Sequence, residues 1–216
     1  MSPQVTDIQV QEKRKDRFSI FLDGEFAFGV DQDVLLQSGI AKGDVLTPAQ
    51  VQAMIGLEER KNARDKALRL LAVRARSEKE LTDRLRQAKY SVRIIEEVIA
   101  ELKRLKLLND SDFAVMFARN RVITKPTGEY MLKQELKAKG LSEEDIQNGL
   151  DAAFQEKPEQ RQALELAIKL KARHRQDEEI KARKKVNDHL LRRGFSWDIV
   201  NDIMDKWDNL EEQTLE

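Results

Sequence analysis

The sequence predicts a mainly α fold: an elongated array of three tandem three-helix repeats, preceded by a small antiparallel β-hairpin or meander. Three observations predict it. A block of about two dozen residues recurs at Leu81–Leu102, Leu132–Ala153 and Val186–Trp207. An Asp-Gly hairpin signal occupies the first thirty residues, and helix caps punctuate everything after residue 46.

In the block, Leu85, Leu136 and Leu190 coincide, as do Ile95, Ile146 and Val200, and Ile99, Leu150 and Met204. The offsets are 136 − 85 = 51 and 190 − 136 = 54, at or just beyond the upper end of common helical-repeat periods. Turns fall at Tyr90-Ser91, Leu141-Ser142 and Phe195-Ser196. A repeat unit cannot bury its apolar face alone, so three in a row imply an extended surface and argue against a single catalytic pocket.

The elements follow in order. Arg17–Leu22 and Glu25–Val30 flank Asp23-Gly24, which supplies the positive φ angles of a two-residue type I′ turn. That turn pairs Phe21 with Phe26 and Ile20 with Ala27, and the alternating stretch Val5–Val10 adds a third strand, one face of the sheet packing on a helix. A short helix over Val34–Gln37 ends at Gly39. Thr47-Pro48-Ala49-Gln50 combines an N-cap, a first-turn proline and a capping-box glutamine, opening a short helix through Met54.

From about Glu58 the pattern is helical, and the first repeat begins near Arg64. Ser77-Glu-Lys-Glu80 is a capping box that starts a new helix. The second repeat reads as helices over 110–124, 128–139 and 142–154, and the third as 159–176, 177–192 and 196–207. Pro126 and Pro158 mark breaks. The expected domains are 1–45 (β segment with a short helix), 46–108 (linker helix and first repeat), 109–156 (second repeat) and 157–216 (third repeat with an acidic tail).

Composition bounds the chemistry. Of 216 residues, 40% are hydrophobic and 36% charged, which suits amphipathic helices with solvated outer faces. Lys+Arg and Asp+Glu both number 39, so net charge predicts no partner, but charge is sorted along the chain. Arg60 to Arg76 is basic against the single acid Asp65, Lys181 to Arg193 is basic, and Asp198 to Glu216 is acidic. The absence of cysteine removes disulfides, thiolate catalysis and cysteine metal sites. No apolar run approaches a membrane span, and the N-terminus lacks a signal-peptide core, so the expected compartment is the cytoplasm.

His174 and His189, the only histidines, stand in no metal spacing. No carboxylate lies in an apolar context that would raise its pKa for acid–base work, and no glycine loop cradles phosphate. Trp197 and Trp207 fit packing within the third repeat. No catalytic residue, metal or cofactor is expected.

Arg-x-Arg recurs near the end of each repeat's first helix: Arg74/Arg76, Arg119/Arg121 and Arg173/Arg175. Arginines in a last turn oppose the helix macrodipole, for ~0.3–1 kcal/mol each. The alternative is a ladder of guanidiniums facing phosphates or an acidic protein surface, with Lys133 and Lys139 as additions.

The run Ala67-Leu-Arg-Leu-Leu-Ala-Val-Arg-Ala-Arg-Ser-Glu-Lys-Glu-Leu81 resembles the opening motif of the bacterial RecX regulatory proteins. Leu107-Leu-Asn-Asp110 with Phe113-Ala114 is similar to a second motif, and Gly128 with Glu135-Leu136 and Lys139-Gly140 to a third. The resemblance covers roughly residues 60–207, and the N-terminal segment resembles that of longer members. One departure is Lys89-Tyr90, where the family often has Lys-Gly, which predicts a different geometry for the first corner.

The resemblance implies a non-enzymatic negative regulator of the RecA recombinase. Such a protein binds the RecA–DNA filament by end capping or in its groove, modulating recombination, strand exchange and SOS coprotease activity in DNA repair. The implied partners are the RecA filament and, weakly and salt-dependently, single- or double-stranded DNA; the protein is expected to be a monomer without membrane contact. The alternative is a helical-repeat nucleic-acid scaffold with no recombinase target.

Overall fold

The computed structural model describes residues 2–210. The expected acidic C-terminal tail lies partly outside them, at Glu211, Glu212 and Glu216. Contacts divide the chain into two compact units. One is the chain up to Ala75 together with Leu81–Leu107; the other is Arg76–Glu80 together with the chain from Leu108 onward.

In the first unit, β1 (Val5–Val10), β2 (Arg17–Leu22) and β3 (Glu25–Asp31) form an antiparallel sheet in that order. Asp23 and Gly24 hold φ of 51° and 88°, the geometry the Asp-Gly pair predicts. Phe21 pairs with Phe26, their rings edge-on at 6.0 Å, but Ile20 pairs with Phe28 and not with Ala27. A bulge at Ala27 causes the shift. Without it, Ala27 and Gly29 would face the core; a one-residue slip turns Phe28 and Val30 inward instead. The core there is Val5, Ile20, Val30, Val34, Leu46 and Met54.

Helix α1 (Gln32–Ser38) ends at left-handed Gly39. Helix α2 (Pro48–Val73) opens with the Thr47–Gln50 capping box and runs unbroken for 26 residues, where the sequence suggested two helices. Gly56 interrupts the pattern but not the helix, because flanking Met54 and Glu58 are buried and Leu57 packs on the sheet core. An interior glycine costs only ~1 kcal/mol, which tertiary packing overrides.

Three tandem three-helix repeats follow. The first is α2 with α3 (Glu78–Gln87) and α4 (Val92–Arg104). The second is α5 (Asp110–Thr124), α6 (Glu129–Ala138) and α7 (Glu143–Glu156). The third is α8 (Glu159–Arg173), α9 (Glu179–Arg192) and α10 (Trp197–Asp205), closed by a short 3-10 turn at Trp207–Asn209. Each first helix buries an alanine pair one turn apart: Ala63/Ala67, Ala114/Ala118 and Ala163/Ala167. These small side chains admit close helix approach, as where Gly149 of α7 lies against the Ala114 carbonyl.

The corner between second and third helices is the same in all three repeats. Gly140 and Gly194 hold φ of 79° and 83°; Lys89 takes φ 66° in their place. The amide of Tyr90 reaches the Leu85 carbonyl at 3.4 Å, as that of Phe195 reaches Leu190 at 3.3 Å. The missing glycine therefore leaves the first corner's geometry unchanged, contrary to the sequence expectation, and the cost falls on Lys89 as backbone strain. Trp207 is buried as expected, whereas Trp197 is 64% exposed and packs little.

Lys89→Gly should raise the unfolding free energy by about 1 kcal/mol, read by urea denaturation, because glycine removes the left-handed penalty at a solvent-exposed corner.

Candidate functional site

Within the second unit, the start of a repeat's second helix twice receives the following repeat in the same way. The Ser77 hydroxyl donates to the Lys139 carbonyl at 2.7 Å, and the Glu78 amide donates to Asp110 Oδ1 at 2.7 Å. One repeat later, the Gly128 amide donates to the Arg193 carbonyl at 2.9 Å, and the Glu129 amide to Glu159 Oε1 at 2.9 Å. Donors at a helix start, a hydroxyl and an amide in the first case and two amides in the second, are thus satisfied by a corner carbonyl and a carboxylate from the next unit.

Basic side chains close both junctions. Lys139 pairs with Glu80 and sets its ammonium 5.5 Å from the centre of the Phe117 ring. The Arg193 guanidinium donates to the Pro126 carbonyl and, at 3.0 Å, to Thr127 Oγ1. Fully buried Gln162 accepts from the Thr127 amide at 3.3 Å and donates to the Lys157 carbonyl at 2.8 Å. Backbone meets backbone where Gly128 lies against Gly194; a Cβ on either would overlap main-chain atoms of the other segment.

Burial pushes the Glu159 carboxyl above its ordinary value, the Glu129 amide only partly offsetting this and the Glu129 charge adding to it.

Two of the eight basic residues singled out in the sequence are engaged inside the second unit. Arg121 is half-buried and ion-paired with Glu135 on α6, and Lys139 is held as described. Lys133 lies 3.4 Å from Glu143, and exposed Arg119 lies 3.9 Å from Glu156. Arg74 caps α2 and donates to the Ala75 carbonyl at 2.8 Å; Arg76 is half-buried just beyond it. Arg173 ends α8 and Arg175 follows it; both are exposed, with no ion-pair partner among the described residues.

The three Arg-x-Arg pairs are not structurally equivalent. Aligned on the buried alanines, Arg74 falls seven positions after Ala67, Arg119 one after Ala118, and Arg173 six after Ala167. What does recur is an acid four positions before the first alanine: Glu59, Asp110 and Glu159. That spacing is legible in the sequence as an acid and an alanine four residues apart.

The basic run of α2 is also largely taken up inside the first unit. Arg60 and Arg64 each reach Glu101 at 2.9 Å, and Lys61 reaches Asp31 at 3.1 Å and Asp65 at 3.0 Å. Burial raises the Glu101 carboxyl, but these two guanidiniums outweigh it and hold it below its ordinary value. Contrary to the sequence reading, carboxylates are buried here: Glu58, 8% exposed, pairs with Arg17 at 2.6 Å. It also accepts from the Asp31 amide at 2.7 Å, tying α2 to the end of β3.

Open positive charge collects in the third repeat. Lys169, Arg173, Arg175, Lys184 and Arg192 are exposed and lack an ion-pair partner among the described residues. His189 sits amid this charge: burial, then Arg192, Arg193, Arg173 and His174, hold its imidazole below the ordinary value. His174 instead bonds Asp177 at 2.9 Å. Among the described residues no cluster could hold a metal ion, and no helix is long and apolar enough to cross a membrane.

Four family models match in register with this architecture. They are the regulatory protein RecX N-terminal domain over residues 3–47, and the first, second and third RecX three-helix domains over 63–102, 109–150 and 158–204. The chain belongs to the RecX family of regulatory proteins.

Among relatives, it is 35% identical to the regulatory protein RecX of Bacillus subtilis (strain 168) over 206 residues, covering 94% of this chain and 77% of that protein. Regulatory protein RecX of Bacillus pumilus (strain SAFR-032) is 33% identical, with coverage of 99% and 81%. A crystal structure of regulatory protein RecX is similar at a TM-score of 0.73 and 29% identity, covering 94% of this chain and 99% of that one.

Two outcomes test the junctions. Gly128→Ala should destabilise by about 3 kcal/mol in chemical denaturation, since the added methyl group must displace backbone. For Glu159, the folded pKa lies above the unfolded one, so stability is lost as pH rises through that window. Glu159→Gln should therefore unfold later than the parent at about pH 7 and match it at about pH 3.5, where both carry a neutral group.

Proposed function

We propose that this RecX-family chain is a non-enzymatic negative regulator of the RecA recombinase, acting in the cytoplasm by binding the RecA–DNA filament. In this reading it restrains recombination, strand exchange and SOS coprotease activity during DNA repair. The observation that carries it is the pairing of family membership across all four segments with an open basic surface on the third repeat.

The physics supports a binder over a catalyst. Arg173 and Arg175, the sequence candidates left open, are on the same repeat as exposed Lys169, Lys184 and Arg192, and Arg173 and Arg192 both act on His189; such guanidiniums can meet phosphates or acidic protomer surfaces through charge-assisted hydrogen bonds. Arg119, Arg74, Arg76 and Lys133 add exposed or partly exposed charge elsewhere. Successive weak contacts by tandem units multiply through effective concentration, so no single contact need be tight. Arg121 and Lys139 are assigned to holding the fold.

Reversing Arg173 and Arg175 to glutamate should reduce inhibition of RecA ATP hydrolysis on single-stranded DNA at least tenfold in effective concentration, with circular dichroism unchanged. It should also flatten the log–log salt dependence of filament binding by about one to two. Inhibition equal to the parent's would remove this surface from the proposal. DNA binding that persists without any effect on RecA would favour a plain nucleic-acid scaffold.

A further inference from the structure

Two exposed aromatic side chains emerge from the second repeat junction, and the junction needs neither. Tyr130, in the first turn of α6, is 69% exposed, and Trp197, in the first turn of α10, is 64% exposed. A single aromatic on a surface needs no explanation. These two are tied to one another through their main chains. The Tyr130 amide donates at 3.3 Å to the carbonyl of Gly194, three residues ahead of Trp197, and the Gly128 amide donates to the Arg193 carbonyl at 2.9 Å.

The first junction carries no aromatic at these places. At the offsets of the core leucines, 130 − 79 = 51 and 197 − 143 = 54, it has Lys79 and Glu143 instead. Glu143 there pairs with Lys137 at 2.7 Å and Lys133 at 3.4 Å. The same backbone contact is thus made with charged residues where the second junction has rings. The acids beside them do recur: Glu78 and Glu144 at the first junction, Glu129 and Asp198 at the second. Carboxylates suit a helix start, and that accounts for their repetition. It does not account for the aromatics. Glu129 and Asp198 are both exposed, with no ion-pair partner among the described residues.

We propose that Tyr130 and Trp197, with Glu129 and Asp198, form a docking site for a basic side chain, lysine or arginine, on the surface of a partner protein. The face of each ring attracts a cation, the indole most strongly. The carboxylate next in sequence to each ring can accept a charge-assisted hydrogen bond from the same group. Tyrosine and tryptophan lose little rotamer freedom on docking, and the backbone ties of the junction hold both in place beforehand. The cations closest in sequence do not fill the site: Lys133 lies against Glu143, and Arg193 turns to the Pro126 carbonyl and Thr127. Exposed Arg192 belongs to the basic surface assigned above to phosphates and acidic groups. A carboxylate beside each ring repels phosphate, so a basic protein surface is favoured here over stacked bases.

The inference rests on the proposed function in taking the RecA protomer as that protein. Contact with the filament then has two parts of opposite preference, a basic surface on α8 and α9 and an aromatic, acidic one at the start of α6 and α10.

The test measures inhibition of RecA ATP hydrolysis on single-stranded DNA beside anisotropy of a labelled oligo-dT without RecA. Tyr130→Ala with Trp197→Ala should raise the half-inhibitory concentration about tenfold, with oligo-dT binding at the parent's level and the thermal melt unchanged. Glu129→Gln with Asp198→Asn should also weaken inhibition, since a cation loses its counter-charges. Should the alanine pair not fold, Tyr130→Lys with Trp197→Glu, the residues of the first junction, decides in its stead. An alanine pair that inhibits like the parent overturns the proposal. So does a parallel loss of oligo-dT binding, which would make the rings a base-stacking site, and so does undiminished inhibition after the acids are neutralised. A parent without effect on RecA overturns the RecA reading itself, and this inference with it, before any variant is compared.

Discussion

The constraint on which the second unit depends is the contact between Gly128 and Gly194. There the start of one helix lies directly against the end of another, with no side chain between them. That approach brings the Arg193 carbonyl within hydrogen-bond reach of the Gly128 amide and sets Glu159 beneath the Glu129 amide. It also confines Thr127 and Gln162 in a space without water-facing atoms, so their polar groups must pair with each other and with nearby carbonyls. A junction made of backbone and buried amides is unforgiving of substitution, and it fixes the register between repeats more sharply than apolar contact would.

The division of labour among charges follows. Basic residues near a junction are consumed by it: Lys139 by Glu80, Arg193 by the Pro126 carbonyl, Arg121 by Glu135. In the first unit, Arg60, Arg64, Lys61 and Arg17 are likewise spent on Glu101, Asp31, Asp65 and Glu58. A chain with equal numbers of acids and bases can thus still present exposed cations without an ion-pair partner among the described residues, as Lys169, Arg173, Arg175, Lys184 and Arg192 do on the third repeat. Neutral net charge and a basic face are compatible because the pairing is uneven.

Architecture was legible because its causes are local. Asp23-Gly24 dictates its turn, Thr47–Gln50 its cap and the leucine spacing its buried stripe, each through interactions within a few residues. The bulge at Ala27 was not legible: alternation permits either face, and only the helix-covered core selects Phe28 and Val30. Nor was the continuity of α2, where tertiary burial of Met54 and Glu58 overrides the glycine between them. The arginine pairs misled for a related reason. Their offset matches that of the core leucines from the second repeat to the third (173 − 119 = 190 − 136 = 54) but not from the first to the second (119 − 74 = 45 against 51), and helix ends vary, so the buried alanines are the better register marks.

By itself, then, the sequence determined the repeat count, the hairpin, the caps and the family, since periodicity, turn chemistry and ordered motifs are written in neighbouring residues. Tertiary structure alone decided which cations remain open, that Lys89 bears the strain of a glycine corner, and that Asp110 and Glu159 clasp the preceding helix. Those outcomes depend on which residues, from 30 to 67 positions apart at the junctions, share one dry space, and no local pattern encodes that.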